Sequence, residues 1–424
     1  MTNLAHTISA DLPLEKPDRH VVEPLRVPHI TLHAYCDTPE MIGTMERAVG
    51  DRRMSRAHAT MHPGGIAAAI EMYRKAASPN LVVIESRAAV ADLHAELEDL
   101  ADVCRSGTKV IVIGYTNDVS VYRELLAQGV SEYLVAPIEP MSIVAAISRL
   151  YRVAGANKLG RSIAFIGAKG GVGSSTIAHN VASTMARSYD CDVILADLDL
   201  PFGSASLGFD LTPARGIAQA LDTASRLDDA MLERLLTRCE DHLSVLAAPA
   251  ALVQSYDLEE SSFEPVIDLA VSNVPFVVLD VPHIWTSWAK KTLITADEVV
   301  ITASPDLVSF RNAKNLIDLL KRARPNDVPP KLVLNQVGVR KRMEIKPDKF
   351  AATLQIEPIA CIPFEPSSFS AAASNGQMIA DVSAKSALAM SFSKIVQAVS
   401  GIKGAKTSPK SRFGFRPLWG GVAS

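Results

Sequence analysis

Short apolar runs alternate with stretches of helical periodicity along most of the chain, and the alternation predicts two α/β units in succession. In the first unit the runs are ITLHA (Ile30 to Ala34), NLVVIE (Asn80 to Glu85), KVIVIG (Lys109 to Gly114) and EYLVA (Glu132 to Ala136). Helical patterns lie between them, at Val90 to Cys104 and Ser120 to Gln128. In the second unit the runs are SIAFIG (Ser162 to Gly167), DVILAD (Asp192 to Asp197), LSVLA (Leu243 to Ala247), FVVLD (Phe276 to Asp280), EVVIT (Glu298 to Thr302), KLVLN (Lys331 to Asn335) and PIACI (Pro358 to Ile362). Runs so continuously apolar suit strands covered on both faces, so each unit is expected to be a parallel, doubly wound sheet with helices on either side. Such sheets bind ligands past the C-terminal ends of their strands.

The runs also predict the domain layout. Residues 1–27, rich in Pro, charge and small polar groups, are expected to form a flexible arm. Residues 28–154 form the first unit, 155–161 a linker (GANKLGR), and 162–402 the second unit. Residues 403–424 hold five Lys or Arg and no acid, with Phe413, Phe415 and Trp419 among Gly, Pro and Ser, and read as a disordered basic-aromatic tail.

Composition narrows the function classes. Of 424 residues, 48% are apolar and 21% charged, and the net charge of -3 gives no global attraction to nucleic acid or membrane. The five cysteines are scattered without a CxxC pair, so reduced thiols are expected and a cysteine metal site is not. The first residues lack the apolar core of a signal peptide, and no apolar run reaches the ~20 residues of a membrane helix. The expected place is the cytoplasm.

The chemistry begins where SIAFIG runs into AKGGVGSST, Ala168 to Thr176, followed by a helix with Ile177, Val181 and Met185 on one stripe. Strand, glycine loop and helix in that order are the setting of a phosphate loop. Gly170, Gly171 and Gly173 let the backbone curl, so that the amides from Gly170 through Val172, Ser174 and Thr176 can face phosphate oxygens. The helix N-terminus adds free donors and positive dipole. Ser175 stands where a hydroxyl would hold Mg²⁺. The ordinary motif ends in GK[ST]; here Ser174 occupies the lysine's place, Ala168 replaces the leading glycine, and Lys169 is the loop's single lysine. Two further strands end in acids. DVILAD continues into DLDLPFG, and extended backbone puts Asp197 and Asp199 on one side. FVVLD ends in Asp280, which could hold a Mg²⁺-bound water.

KGGVG resembles the deviant Walker A motif of the MinD/ParA ATPases. The resemblance implies ATP and Mg²⁺ as cofactors and a homodimer that sandwiches the nucleotide. Lys169 would reach the partner's phosphates, and Asp197 and Asp199 would serve the magnesium shell and the attacking water. Asn335 would face the adenine, and the IPFEP loop with Pro363 would pack on the base. Loss of the second lysine removes charge stabilisation from phosphoryl transfer, so hydrolysis is expected to be slow or absent. The sequence departs from the family after Asp280, where Val281, Pro282 and His283 have no nearby glycine. His283 is expected to be a surface residue, and Arg311, Lys314, Lys321 and Arg322 a solvated helix face rather than a DNA contact.

Residues 29 to 153 resemble a two-component receiver domain, with GVSEYLVAPIEP (Gly129 to Pro140) matching best. Its chemistry is altered at each point: Glu85 stands at the phosphoacceptor place, Ala136 at the lysine, and Asp37 alone remains of the acidic pair. A docking role without phosphorylation is expected. A degenerate receiver fused to a deviant P-loop ATPase resembles the CpaE/TadZ family of Flp (tight adherence) pilus assembly. That resemblance implies the pilus secretion machinery or polar proteins as partners and concentration at a cell pole. The competing readings are a Min- or Par-like spatial ATPase acting on division or DNA, and a receiver-controlled regulator. The tail could touch anionic lipid.

Overall fold

At the centre of the second unit lies β6 (Arg161–Gly167), whose alternate side chains enter two different cores. Ala164 and Ile166 face one cluster with Ile194, Leu279 and Ile301, while Ile163 and Phe165 face the other with Leu195, Val278 and Val300. The strand is buried on both sides, which is why it reads as one apolar run. In this computed structural model residues 26–151, 160–249 and 256–402 are described. The tail at 403–424, most of the arm and most of the linker lie outside them.

The first sheet comprises β1 (Ile30–Cys36), β2 (Ala57–Pro63), β3 (Leu81–Glu85), β4 (Lys109–Gly114) and β5 (Glu132–Val135). All its pairings are parallel, in the order β2-β1-β3-β4-β5. This is the flavodoxin-like winding. The second sheet adds to β6 the strands β7 (Val193–Asp197), β8 (Thr237–Glu240), β9 (Leu243–Leu246), β10 (Phe276–Val281), β11 (Glu298–Ala303), β12 (Lys331–Val337) and β13 (Pro358–Pro363). Its order is β13-β12-β11-β6-β10-β7-β9-β8, parallel except for the β8–β9 pair. Both sheets bear out the expected doubly wound α/β class. The strand order reverses at β6, with β10 on one side and β11 on the other, so the loop after β6 opens into the crevice where such sheets bind ligands.

Three details correct the sequence reading. Two edge strands escaped it: β2 (AHATMHP), which is half-exposed and carries two histidines, and the four-residue β8. The arm does not extend to residue 27, because Val27 is fully buried in the first unit's core and Arg26 is buried between the two units. The linker does not extend to Arg161, which opens β6.

Candidate nucleotide site

The phosphate loop leaves β6 with Ala168 N–H bonded to Thr302 O of β11 at 2.8 Å. Gly171 and Gly173 have φ of +77° and +83°, so both turns use backbone that L side chains avoid. A Cβ on Gly173 would also lie 2.7 Å from Asn335 Nδ2. The helix Ser174–Tyr189 then starts without any side-chain cap, leaving its first amides for a ligand. Ser174 Oγ is buried and has no hydrogen-bond partner. Free helix amides, two glycines at positive φ and an orphaned hydroxyl make a cradle that fits a nucleotide's phosphates.

The loop is braced from three sides. Asn335 Nδ2 donates to Val172 O at 2.8 Å, and Gln336 Nε2 donates to Gly171 O at 2.9 Å. Asn312 Nδ2 donates to Ala168 O at 2.8 Å. His283 is exposed, as expected, yet its Nδ1 donates to Gly167 O at 2.8 Å. Asn312, Gln336 and His283 were not singled out for this bracing. Each lies at least 116 positions from its acceptor, and only the sheet order brings them together.

Lys169 reaches back to its own chain, its Nζ 2.6 Å from Asp306 Oδ2. Asp306 caps the helix Leu307–Ala323 through Ser309 N–H and also accepts from Ser304 Oγ at 2.6 Å. Burial alone would raise this carboxyl, but the bonds from Lys169 and Ser304 outweigh it and hold it at about 2.

Asp197 and Asp280 are register partners on adjacent strands β7 and β10, and both are buried. Asp197 accepts from Ala205 N–H at 3.0 Å and Asp199 N–H at 3.2 Å. Burial, and then the charge of Asp280, push the Asp197 carboxyl up to about 6. His179 from the helix after the loop places Nε2 3.4 Å from Asp280 Oδ2, without hydrogen-bond alignment. Asp199 is half-buried and holds Phe202 N–H at 3.1 Å. Among the described residues no group of three His, Cys, Asp or Glu side chains is arranged to bind a metal unaided. Two carboxylates beside a phosphate cradle instead suit Mg²⁺, which takes one or two acids and fills its shell with phosphate and water. Ser175, Asp197 and Asp280 are the groups that would hold it. When bound, the ion would neutralise charge on the terminal phosphates.

Asn335 and Pro363 sit on neighbouring strands at the same end of the sheet, with Val337 paired to Pro363 and Phe364 N–H bonded to Val337 O. Asn335 spends its amide on the loop, so its placement is that of a brace. Phe364, the next residue after Pro363, is exposed. Of the basic helix residues, Lys314 pairs with Asp318, and Arg311 and Arg322 are exposed.

In the first unit the acid that ends β3 is already engaged. Glu85 is fully buried, and its carboxylate accepts from Asp37 N–H, Thr38 N–H, Thr38 Oγ1 and Tyr115 OH at 2.6 to 2.9 Å. Burial opposes its ionisation, but these bonds, that from Tyr115 first, keep its pKa below the usual value.

The second unit has a doubly wound fold and a phosphate loop similar to those of the ParA and MinD ATPases. Residues 160–332 match the AAA domain family. A ParA family ATPase from Chlorobium tepidum TLS shares the fold at TM-score 0.51, with 24% identity over 56% of this chain and 98% of that one. A putative septum site-determining protein MinD from Guillardia theta is 24% identical over 48% of this chain and 73% of its own length. A pilus assembly protein CpaE from Caulobacter crescentus CB15 is 44% identical over a match covering 30% of this chain and 97% of that one, at TM-score 0.30. Among the described residues no helix is long and apolar enough to cross a membrane.

Proposed function

We propose that this chain is an ATP-binding positioning protein for pilus assembly, in which nucleotide drives pairing of two copies and hydrolysis is slow. The observation that carries the nucleotide part is the braced glycine cradle with the orphaned Ser174 hydroxyl at the lysine's place. A cradle without that lysine binds phosphate through backbone amides but lacks a point charge for the leaving group. Pairing is supported by the apolar side chains exposed on the segments past β7, β10 and β11, on the same side as the cradle. They are Phe202, Leu207, Ile284, Trp285, Leu307 and Val308. In such a pair Lys169 would exchange Asp306 for the partner's phosphates, and Asp199 would orient water.

The pilus and polar part of the reading is supported by the joining of this domain to a receiver-like unit whose phosphoacceptor place is closed by Glu85. A second reading, a spatial ATPase of the Min or Par kind, is favoured by the likeness to a septum site-determining MinD. Two measurements test the proposal. Titration with Mg-ATP should show binding by wild type and by Lys169→Ala, while ultracentrifugation should show nucleotide-dependent pairing of wild type only. No binding at millimolar ATP sinks the nucleotide part. Diffuse cellular fluorescence of a tagged full chain sinks the polar part, and brisk partner-stimulated hydrolysis favours the Min-like reading.

A further inference from the structure

The two units meet through buried charge at the end of the second sheet opposite the phosphate loop. Arg52 binds Asp327 through Nε and Asp297 through Nη1, the latter at 3.0 Å. Arg53 binds Asp327 as well. Arg26 bonds Asp297 at 3.3 Å and Ser162 Oγ at 3.0 Å, and Arg56 bonds Asp268. Asn326 returns a bond to Asp51 at 3.0 Å. The side chains of Arg26, Arg52 and Arg53 are only 2 to 6% exposed.

Asp297 immediately precedes β11, and one residue before its end β11 carries the carbonyl of Thr302 that receives the loop's Ala168 N–H. The helix Leu307–Ala323 joins the same two places more directly. Its N-terminal cap Asp306 holds Lys169, and Asn312 holds Ala168 O. Just past its C-terminal end, Arg324 bonds Asp327 Oδ2 at 2.7 Å, Leu293 O at 3.2 Å and Asp297 O at 3.1 Å. Asp327 is the residue that Arg52 and Arg53 grip from the other unit. Seventeen residues span about 25 Å, so one rigid rod carries the phosphate loop's brace at one end and the inter-unit contact at the other.

We infer that this helix links the nucleotide site to the contact with the first unit, so that nucleotide binding and the grip of Arg52 and Arg53 on Asp327 change one another's strength. The differential contact is Lys169. Its ammonium is bonded to the helix cap in this structure, and in the proposed pair the polyphosphate in the partner copy's cradle competes for it. A ligand shifts a conformational equilibrium by its unequal contacts in the two states. Losing the Lys169 bond alters the helix's N-terminal anchor, and packing of Ala313, Ile317 and Leu320 in the core makes the rod move as one body. Linkage is reciprocal: loosening the far end must alter nucleotide affinity by the same factor.

The inference rests on the nucleotide reading, and the test separates the two. Mg-ATP is titrated into the full chain and into Asp327→Asn, which keeps the side chain's size and removes the charge gripped from three sides. The expected result is a Kd changed by at least about five-fold. A folded variant with the wild-type Kd overturns the linkage and leaves nucleotide binding intact. Amide hydrogen exchange on the unaltered protein decides the matter if the variant does not fold. Mg-ATP should change exchange at residues 51–56 and 323–327, and unchanged exchange there with ATP bound overturns it. A wild type that binds no ATP removes the nucleotide reading and the linkage with it.

Discussion

Ser174 and Asp197 show how single residues set this site's character. At Ser174 a buried hydroxyl without a partner stands where a lysine ammonium would otherwise meet phosphate, so the loop offers backbone amides but not that charge. Asp197 carries the opposite strain, an acid sealed beside a second acid on the next strand. Its pKa is raised, so the folded protein holds the proton longer than the unfolded chain does. Between 3.8 and about 6 the native state binds more protons, and stability contributed by this group falls as pH rises through that window. The difference corresponds to about 3 kcal/mol at most. Asp197→Asn removes the titration. Without Mg²⁺ and nucleotide, the variant's melting temperature relative to wild type should therefore rise between pH 4 and pH 7; a difference independent of pH would show that Asp197 does not carry the cost. The glycine loop and the acids ending β7 and β10 were legible because adjacent residues write them. The bracing by Gln336, Asn312 and His283 was not, since each donor comes from a distant strand end or helix. Asn335, read as a base contact, gives its amide to Val172 O.

At the scale of elements, apolar runs announced the central strands because both their faces are covered, whereas β2 and β8, each with one neighbour, carry mixed side chains and no run. The loops that end β1, β3 and β4 are gathered by one carboxylate. Glu85 takes donors from Asp37, Thr38 and Tyr115, and Arg87 lies over the Tyr115 ring with its guanidinium carbon 4.8 Å from the centroid. Four donors need an acceptor with no hydrogens of its own. A glutamine would present an amide N–H₂ to some of them, leaving buried donors unmatched at about 1–3 kcal/mol. Glu85→Gln should thus lower the first unit's unfolding free energy by that amount at pH 7, read by denaturant titration. Because the folded pKa is depressed, the wild-type advantage is complete above the unfolded value of 4.5 and fades as pH falls through the folded one. The gap between variant and wild type should close in acid. Neither protein should be labelled by acetyl phosphate, since the carboxylate of Glu85 is buried and committed to these bonds and the variant has none.

At the scale of the molecule, the decisive feature is a contact that no local pattern could announce. Arg52 and Arg53 lie 275 and 274 positions from Asp327 in a helix-to-strand loop, and their segment RRMSR reads as surface charge. Buried ion pairs gain Coulomb energy against a large desolvation cost, so their net contribution is small while the loss of one member is severe. Asp327 makes the point well, as Arg52, Arg53 and Arg324 all converge on it. Burial alone would raise its carboxyl, but those guanidiniums outweigh it and keep it ionised. Removing the Arg53 head as Arg53→Met, or the Asp327 charge as Asp327→Asn, should each cost about 3–5 kcal/mol by stranding a charge. The double variant should lose clearly less than the sum of the two, because the stranded partner is gone as well. Chemical denaturation would follow both units through their own probes, with Trp288 reporting the second. Since these side chains are shielded from solvent ions, raising salt from 0.1 to 0.5 M should leave the coupling energy nearly unchanged. Additive losses, or a coupling that salt erases, would mean the units are joined by the chain alone and only brush against each other in solution.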